Sequence, residues 1–387
     1  MTAFATPTDE SAIGEAVLDA VSQKATLRIA GGGTRSPIGH TVENARVLDV
    51  SGNSGIELYE PGSLTIVARA GTTMREVNEA LASENQMLAF EPMDHRPLLG
   101  TEGEPTLGGV VSCNVSGPRR FLSGACRDHL LGVRFIDGRG RVIKNGGRVM
   151  KNVTGLDLAK LVCGAYGTLG VLSEVSLKVL PRPVRAATMQ FAGLSVEQAV
   201  NMFCKALSTP YEISGAAFQN GVAMLRLEGL DSQVAYRISK LQALFPDYGM
   251  SVLDGTVHDD LWKGLRDLHV FSGSDQAVWK LSVKPTDAPA VVAHLVRKLD
   301  ARTILDQGGG TIWAGVDSNR SDQEAKIRSS IKSLGGHATL VRGSEALRQA
   351  APVFQPQSSR VSAISSALRQ QFDPSGILNP GLMAAQS

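Results

Sequence analysis

Apolar and polar positions alternate between helix spacing and strand spacing through the first hundred residues of the chain. Ile13, Val17 and Val21 recur on one helix face, which predicts an N-terminal amphipathic helix. A second helix is predicted where Thr73 and Glu76 form a capping box ahead of an apolar stripe. The strands predicted between them are TLRIA at 26–30, RVLDV at 46–50 and LTIVARAG at 64–71. This alternation indicates a mixed α and β structure.

The order of predicted helices and strands changes near residue 184. Before it, the DGRG turn at 137–140 predicts a hairpin, and a long alternating strand then runs into a PRP sequence. Beyond it, helices such as the one capped by Ser195 and Gln198 alternate with strands in a way typical of antiparallel sheets. We therefore predict an α+β fold, with a helical tail near the C-terminus. The predicted parts are residues 1–184, 185–345 and 346–387.

Length and composition limit the possible functions. A chain of 387 residues is long enough for two or three domains and can bury a large ligand. Its 39 Lys and Arg residues nearly balance 37 Asp and Glu residues, so no strong field favours nucleic acid or an anionic membrane. There is no signal-peptide pattern at the N-terminus and no apolar run of about 18 residues. We expect a cytoplasmic protein with at most peripheral membrane contact.

The cysteines give no sign of a metal site. The chain contains 4 of them, without a C-x-x-C pair. They are Cys113, Cys126, Cys163 and Cys204. We expect reduced structural thiols and neither a zinc site nor an iron–sulfur cluster.

The first of three glycine-rich turns is AGGGTR at 30–35, where the strand TLRIA stops. Glycine tolerates positive φ angles and the close approach of another group. Successive backbone N–H groups in such a turn form a concavity that binds phosphate oxygens. The alternatives are an ordinary tight turn and a Rossmann dinucleotide loop. The Rossmann alternative fits poorly, because Ser36 stands where the third glycine of that fingerprint is required.

The other two turns carry polar residues beside their glycines. They read PTLGGVVSCNVSG at 105–117 and GAYGTLG at 164–170. Side chains that could donate there to phosphate, ribose or ring oxygens are Ser112, Asn114, Ser116 and Thr168. Each is equally well explained as a turn residue that bonds its own backbone. Three such turns lining one cleft would require an extended ligand.

The order of these motifs resembles the vanillyl-alcohol-oxidase family of FAD flavoproteins, which have a PCMH-type FAD-binding domain. AGGGTR is followed by PTLGGVVSCNVSG, by KNVTGLDLAKLVCGAYGTLGVLSEVSLKVLP at 151–181 and by FDPSGILNPG at 372–381. The resemblance covers residues 10–184 and the C-terminal motif. The middle stretches LWKGLRDLHVF, WKLSVKPTDAP and GGHATLVR resemble FAD-binding subunits of bacterial glycolate oxidase complexes.

The resemblance implies an FAD domain of two α/β subdomains, to which residues 346–387 return, with an antiparallel α+β cap domain between. FAD would lie extended between the subdomains. The first turn would hold its pyrophosphate, the second would lie along pyrophosphate and flavin, and the third would contact adenine and ribose. The cofactor-binding residues implied are Gly31, Gly32, Gly33, Thr34, Arg35, Thr106, Gly108, Gly109, Ser112, Asn114, Ser116, Gly117, Gly167, Thr168, Gly170, Val171 and Asn379.

Two departures from the family concern the flavin. Some relatives attach it covalently through a histidine in or beside the first turn, where this chain has Thr34 and Arg35. We therefore expect non-covalent FAD. The family's terminal NPG usually continues with Lys or Arg, but Leu382 stands here. A cation near the flavin must then come from elsewhere.

A third departure concerns the substrate. Relatives that oxidise 2-hydroxy acids carry a motif of the form H-x-G-D-G-N-x-H, and none of the 7 histidines of this chain lies in such a pattern. Oxidation of a hydroxy acid needs a base for the hydroxyl proton and a cation for the carboxylate. Candidates for these roles, each more simply explained as structural, are His337, Arg342, His269, Arg226 and Lys280. We assign no catalytic residue and no metal ligand.

Simpler structural interpretations apply to other polar and aromatic residues. Arg119 and Arg120 are expected either to touch a phosphate or to lie on a loop surface. Asp157 and Lys160 are expected to form a solvated pair on a helix. The tryptophans expected in the core or at an interface are Trp262, Trp279 and Trp313.

The function implied by the resemblance is that of an FAD-binding subunit of a multi-subunit glycolate oxidase, which oxidises glycolate, a 2-hydroxy acid, to glyoxylate. Electrons would pass to a separate iron–sulfur subunit, and a homologous FAD subunit would be a further partner. Three alternatives stay open: an accessory FAD-binding subunit without its own catalysis, a stand-alone flavin oxidase or dehydrogenase of another hydroxy acid or alcohol, and a nucleotide-binding protein without redox chemistry.

Overall fold

A computed structural model describes residues 3–42, 44–148 and 155–383. The start of the third motif, at 151–154, lies outside the described residues. The chain divides into two compact units. Unit 1 consists of Met1–Ser116, Gly124–Arg182 and Pro356–Ser387, and unit 2 consists of Gly117–Ser123 and Pro183–Gln355.

Strands and helices alternate in unit 1, whereas unit 2 is built on one large sheet. The strands are β1 (Ala3–Ala5), β2 (Leu27–Ala30), β3 (Arg46–Asp49), β4 (Ile56–Glu60), β5 (Thr65–Arg69), β6 (Gln86–Met87), β7 (Leu130–Ile136), β8 (Val142–Gly146), β9 (Val171–Lys178), β10 (Leu180–Pro181), β11 (Arg185–Ala192), β12 (Ile213–Gln219), β13 (Val222–Gly229), β14 (Met250–Asp254), β15 (Ala277–Ser282), β16 (Arg302–Asp306), β17 (Thr311–Val316) and β18 (His337–Arg342). The helices are α1 (Glu10–Ser22), α2 (Met74–Ser83), α3 (Arg96–Leu99), α4 (Leu107–Ser112), α5 (Arg120–Ser123), α6 (Cys126–His129), α7 (Leu158–Val162), α8 (Val196–Leu207), α9 (Asp231–Leu244), α10 (Gly255–Arg266), α11 (Ala288–Leu299), α12 (Gln323–Ile331), α13 (Glu345–Ala350) and α14 (Ser359–Phe372).

The sheets of unit 1 separate its strands into two main groups. A parallel sheet has the order β1-β3-β2, and an antiparallel sheet has the order β4-β5-β9-β7-β8. A short antiparallel pair joins β10 to β6. The hairpin predicted at DGRG is confirmed, because residues 137–140 join β7 to β8.

Helix α2 forms where it was predicted, although only the Thr73 half of the predicted capping box with Glu76 is present. The Thr73 hydroxyl caps the helix by accepting a hydrogen bond from the backbone N–H of Glu76 at 3.1 Å. Met74, Val77 and Leu81 are its buried residues, since their spacing places them on one face.

The C-terminal segment of the chain completes the parallel sheet of unit 1. The backbone N–H of Leu27 donates to the carbonyl of Ile377 at 2.7 Å, and Leu27 also pairs with Leu378 in parallel register. Ile377 and Leu378 share one hydrophobic cluster with Ile13 and Val17 of α1. The first strand predicted from the sequence is therefore held from both sides by distant parts of the chain.

Unit 2 is an antiparallel eight-stranded sheet with the order β14-β11-β13-β12-β16-β17-β15-β18. The predicted capping box of α8 is confirmed, with Ser195 and Gln198 bonding each other's backbone N–H groups. The prediction for the three tryptophans is also confirmed, because Trp262, Trp279 and Trp313 all belong to the buried core.

The segment 117–123 belongs to unit 2 although it follows the second glycine-rich turn. Arg119 forms a two-pronged ion pair with Glu228, and both side chains are about nine-tenths buried. Phe121 packs against the hydrophobic core of the unit. The sequence alone suggested that Arg119 touches a phosphate or lies on a loop surface. Both expectations are wrong, because its side chain is buried in an ion pair.

The solvated pair predicted for Asp157 and Lys160 is wrong. The Asp157 carboxylate caps α7 by accepting from the backbone N–H of Lys160 at 3.1 Å. The Lys160 ammonium donates instead to the carbonyl of Leu130 at 2.6 Å. Both polar groups therefore bind backbone atoms, because a helix start and a strand end lie within their reach.

Candidate functional site

An open groove lies in unit 1 where the glycine-rich turns meet. The predicted site residues that line it are Gly31, Gly32, Gly33, Thr34, Arg35, Thr106, Gly108, Gly109, Ser112, Gly167, Gly170 and Asn379. Segments that are up to 350 residues apart are thus brought together. The remaining predicted residues, Asn114, Ser116, Gly117, Thr168 and Val171, do not line it.

The glycines of the first turn are required by a neighbouring loop. A Cβ atom on Gly32 would stand 1.7 Å from the backbone carbonyl oxygen of Glu104, and one on Gly31 would stand 2.3 Å from the Thr106 hydroxyl. Gly33 has φ +71°, a left-handed conformation that favours glycine. The turn is therefore compressed between β2 and the loop before α4, and no other side chain would fit.

The same turn, which lines the groove, has backbone donors without a protein acceptor among the described residues. Within the described residues, the backbone N–H groups of residues 31–35 donate to no protein acceptor. Buried or cleft-lining N–H groups normally have partners, so this set of donors matches a ligand rich in acceptor oxygens. A diphosphate has that chemistry, and a concavity of successive N–H groups is its usual backbone site.

Arg35 supplies a positive charge to this groove. Its guanidinium donates from Nε to His95 Nδ1 at 3.3 Å and from Nη2 to the Met93 carbonyl at 3.3 Å. Burial lowers the pKa of Arg35, although the nearby Cys113 and Asp94 oppose this effect. An arginine remains charged under these conditions, so the groove contains a fixed cation with its orientation set by two neighbours.

Among the described residues that line the groove there is no acidic side chain, although Asp94 lies near Arg35 and Asp49 lines the adjoining space beside residues 31–33. The titratable residues there are Arg28, Arg35, Cys113 and Tyr166. Burial raises the pKa of the Cys113 thiol and of the Tyr166 phenol, which keeps both neutral. The groove is therefore positive overall, as an anionic ligand requires. It also contains no histidine among the described residues that line it.

The second turn builds one wall of the groove with helix α4. Thr106 caps this helix by accepting from the Gly109 N–H at 3.3 Å. A Cβ atom on Gly108 would approach the Ala70 side chain to 2.7 Å, so glycine allows α4 to pack against β5. Thr106 therefore shapes the wall, and Ser112 lies on its surface.

Asn114 and Ser116 hold a turn instead of lining the groove. Asn114 has φ +49°, and its side-chain oxygen accepts from the backbone N–H of Arg127 at 3.0 Å. The Ser116 hydroxyl accepts from the N–H of Cys126 at 3.0 Å. The alternative interpretation of these two residues, that turn residues bond backbone, matches these contacts.

The third turn meets the C-terminal segment through Asn379. The side-chain oxygen of Asn379 accepts from the Ile29 N–H at 2.9 Å, and its Nδ2 donates to the Tyr166 carbonyl at 2.8 Å. Thr168 donates to the Ala165 carbonyl at 2.7 Å within its own turn. Asn379 therefore positions β2 against the third turn, because both ends of its amide are engaged with backbone.

Several residues of the groove were not predicted from the sequence. Tyr166 adopts φ +53° and lies beside Gly167, whose φ is +70°. Leu382 lines the groove at the position where the family usually has a cation. The sequence signal for Leu382 was that departure itself, whereas Tyr166 and Cys113 lacked any signal beyond their place between glycine-rich stretches.

The substrate-side candidates lie in unit 2 and differ in their surroundings. Arg342 donates to the carbonyls of Gln276 and Phe271, each at 2.8 Å. His269 and His337 are exposed. Structural roles therefore explain Arg342, and no partner that would make either histidine a base is seen.

Arg226 and Lys280 have contrasting environments in the same sheet. The Arg226 guanidinium donates to the Ser214 carbonyl at 3.0 Å and lies 4.3 Å from the centroid of Trp262, with Glu228 3.9 Å away. Arg226 is therefore fully engaged within the core. The Lys280 ammonium lies 5.2 Å from the centroid of the Trp313 ring system.

A positive groove built from three glycine-rich turns, on an α+β fold of this type, defines an FAD-binding flavoprotein with a PCMH-type domain. Residues 1–146 match the family model described as an FAD binding domain. Glycolate oxidase subunit GlcE of Escherichia coli strain K12 is 35% identical over 374 residues, which cover 96% of each chain. The chain belongs to the family of this glycolate oxidase subunit, and its cofactor is FAD.

Other similar proteins cover less of the sequence or show only the fold. Glycolate oxidase subunit GlcD of Bacillus subtilis is 36% identical over 84 residues, which are 22% of this chain and 18% of that one. The solved structure of 4-ethylphenol oxidase from Gulosibacter chungangensis has a TM-score of 0.73 at 13% identity, covering 98% of this chain and 88% of that one. An alkyldihydroxyacetonephosphate synthase has a TM-score of 0.69 at 13% identity, covering 97% and 76%. The two solved structures show that the fold of this chain is shared with those proteins.

The helices carry no sign of a membrane span. Across residues 3–42, 44–148 and 155–383, none combines the length and the apolar character that crossing a bilayer would need.

Proposed function

We propose that this chain is the FAD-binding subunit of a multi-subunit glycolate oxidase and that it oxidises glycolate to glyoxylate. The observation that carries the proposal is the similarity to GlcE along 96% of both chains. The groove of unit 1 agrees with it, because its unpartnered N–H groups and Arg35 match the diphosphate of FAD. Unit 1 is then the FAD domain and unit 2 the cap domain.

The residues lining the groove include candidates for binding the pyrophosphate of FAD and for balancing its charge. The N–H groups of residues 31–35 would bind the pyrophosphate oxygens, and Arg35 would balance negative charge. Bound FAD supplies an acceptor for the hydride that leaves the glycolate carbon. The hydroxyl proton must pass to a base, so that each glycolate loses one hydride and one proton.

Non-covalent attachment of FAD is part of the proposal. Thr34 and Arg35 occupy the positions where a covalent histidine occurs in some relatives. Among the described residues that line the groove there is no histidine, and the Cys113 thiol has a pKa raised by burial. A protonated thiol is a poor nucleophile, so the groove offers no obvious group for a covalent link.

Electrons are proposed to leave through a separate iron–sulfur subunit. The described parts of the chain contain no group of three or more His, Cys, Asp or Glu residues that could hold a metal. Its relatives GlcE and GlcD are both described as subunits of glycolate oxidase. A homologous FAD subunit and an iron–sulfur subunit are therefore the proposed partners.

One observation favours a second candidate function, an accessory FAD-binding subunit without its own catalysis. The lining of the groove contains neither a carboxylate nor an imidazole among the described residues. A general base would then have to come from outside this lining. In that case a homologous FAD subunit would perform the oxidation.

An absorption spectrum of the purified chain, expressed alone, tests both candidates. Flavin bands that bleach when glycolate is added without oxygen would support oxidation by this chain. Bands that persist would favour the accessory function. Precipitation with acid should release yellow flavin into the supernatant if attachment is non-covalent. A colourless chain that FAD cannot reconstitute would contradict both candidates.

A further inference from the structure

Lys280 is a half-buried cation in unit 2 whose ammonium has an aromatic neighbour but, among the described residues, no hydrogen-bond or ion-pair partner. It lies on β15, directly across from Trp313 of β17, and its ammonium stands 5.2 Å from the centroid of that ring system. Across the described part of the chain, no hydrogen bond or ion pair involves this ammonium. The aromatic face supplies an attraction, but a ring does not replace the three hydrogen bonds that an ammonium can donate.

A second cation, Arg120, acts on Lys280 through its charge, which lowers the pKa of the ammonium. The neighbours of Arg120 in sequence hold it in place, because Arg119 is bound to Glu228 and Phe121 packs on the hydrophobic core. Arg120 itself is exposed, and its guanidinium forms no ion pair within the described residues. Segment 117–123 therefore fixes the backbone of Arg120 against the unit that carries Lys280.

The charges that act on the Lys280 ammonium favour the binding of an anion beside it. Burial and then Arg120 lower the pKa of Lys280 to about 8, while Asp306 opposes them. The Asp306 carboxylate also accepts from the Gln307 N–H at 2.7 Å. The ammonium is therefore still largely protonated at neutral pH, and an added negative charge would stabilise it.

We infer that Lys280, Arg120 and Trp313 form a binding site for a small organic carboxylate. The two cations would each donate to the carboxylate, and the indole face would cover the short carbon chain. A small carboxylate suits the site better than a large anion, because Lys280 is half-buried beside a ring that is only 8% exposed. Glycolate as the natural occupant rests on the proposed function, whereas the anion site does not.

Isothermal titration of the purified full chain with oxalate tests the site without requiring turnover or flavin reduction. We expect saturable binding that Lys280→Met weakens by about tenfold or more, as loss of a charged hydrogen bond does. Arg120→Gln should weaken it by several-fold and, being exposed, should not disturb folding. Lys280→Arg keeps the charge and should restore most of the affinity. The matched control Lys298→Met removes an exposed lysine of the same unit and should leave binding unchanged.

Tryptophan fluorescence locates the bound anion. Oxalate should change the emission of the wild-type chain, and Trp313→Phe should remove most of that change. Affinity should fall as pH rises through about 8, because Lys280 loses its proton there under the influence of Arg120 and Asp306. Chloride at the same ionic strength should not reproduce the signal.

Two results would overturn the inference. One is the absence of saturable oxalate binding, which would point instead to an acidic side chain of a partner subunit as the counter-ion. The other is equal binding by Lys280→Met and wild type. If oxalate binds as expected but glycolate leaves the flavin oxidised, the proposed oxidation fails while the anion site stands.

Discussion

Asn379 is the residue whose replacement tests most directly how unit 1 is held together. Its side chain is 2% exposed and joins the Ile29 N–H to the Tyr166 carbonyl, at 2.9 and 2.8 Å. Asn379→Ala would leave a backbone donor and a backbone acceptor without partners, at about 1–3 kcal/mol each. Asn379 also has φ +46°, which costs alanine about 1 kcal/mol more than glycine.

We therefore expect Asn379→Ala to lower the free energy of unfolding by about 4 kcal/mol. Asn379→Gly should lower it by about 1 kcal/mol less, because glycine accepts the left-handed conformation. The pair of variants thus separates the lost hydrogen bonds from the backbone effect. Both should also weaken FAD binding, since β2 and the third turn carry the groove.

Urea unfolding of the FAD-free chain, followed by circular dichroism, measures these differences. All three tryptophans, Trp262, Trp279 and Trp313, lie in unit 2, so their fluorescence reports on that unit. If the variant lowers the urea midpoint measured by circular dichroism but not the midpoint measured by fluorescence, the loss of stability lies in unit 1. A change below about 1 kcal/mol for Asn379→Ala by both probes would refute the reasoning.

Three further predictions concern the groove and the ion pairs of unit 2. Gly32→Ala places a Cβ atom 1.7 Å from a backbone carbonyl oxygen and should abolish FAD binding, measured as flavin absorbance of the purified chain. The control Gly62→Ala should keep its FAD, because no atom lies within 4 Å of the added Cβ. Full FAD occupancy in Gly32→Ala would contradict the packing described. Arg35→Met should weaken FAD binding about tenfold in a fluorescence titration, and an unchanged affinity would exclude a role for its charge. Arg226 and Arg119 outweigh burial and lower the pKa of Glu228 to about 2, so its contribution of about 3 kcal/mol should be present above pH 4.5 and lost as pH falls through about 2. Unfolding of Glu228→Gln between these pH values should depend less on pH than that of wild type, and identical curves would count against the ion pair.

Signals that act over a few residues were sufficient to predict many elements of the fold. Thr73 and Ser195 cap the helices that follow them, because a hydroxyl needs only the N–H three residues ahead. The signal for the DGRG hairpin is equally local. The capped helix starts are stabilised within their own segments, so the neighbouring sequence contains the information that places them. The DGRG turn also bonds Gln371 and Phe372, although its glycines and Asp137 were enough to predict it.

Contacts between distant segments could not be predicted in this way. The Arg35 guanidinium is oriented by His95, and Arg119 is bound to Glu228, which is 109 residues away. The glycine-rich turn marks Arg35 as a candidate ligand-binding residue, but nothing in the sequence around either arginine indicates its side-chain partner. Pairings of this kind depend on how strands and loops pack, which local spacing does not determine.

The groove itself was predicted in outline because glycine clusters mark positions of close approach. The order of the motifs identified the turns, but it did not distinguish residues that face the groove from residues that support it. Asn114 and Thr168 bond backbone within or beside their own turns. A short polar side chain reaches nearby backbone more easily than a ligand, which explains why these two residues support their turns.

The pairing of Leu27 with Ile377 and Leu378 has a consequence for how the protein is made. During translation, β2 leaves the ribosome long before its neighbour is synthesised, and all of residues 183–355 emerge in between. The nascent chain therefore cannot close this cluster until Ile377 and Leu378 have emerged. We expect a chain truncated before Ile377 to leave one edge of β2 unpaired and to fold incompletely.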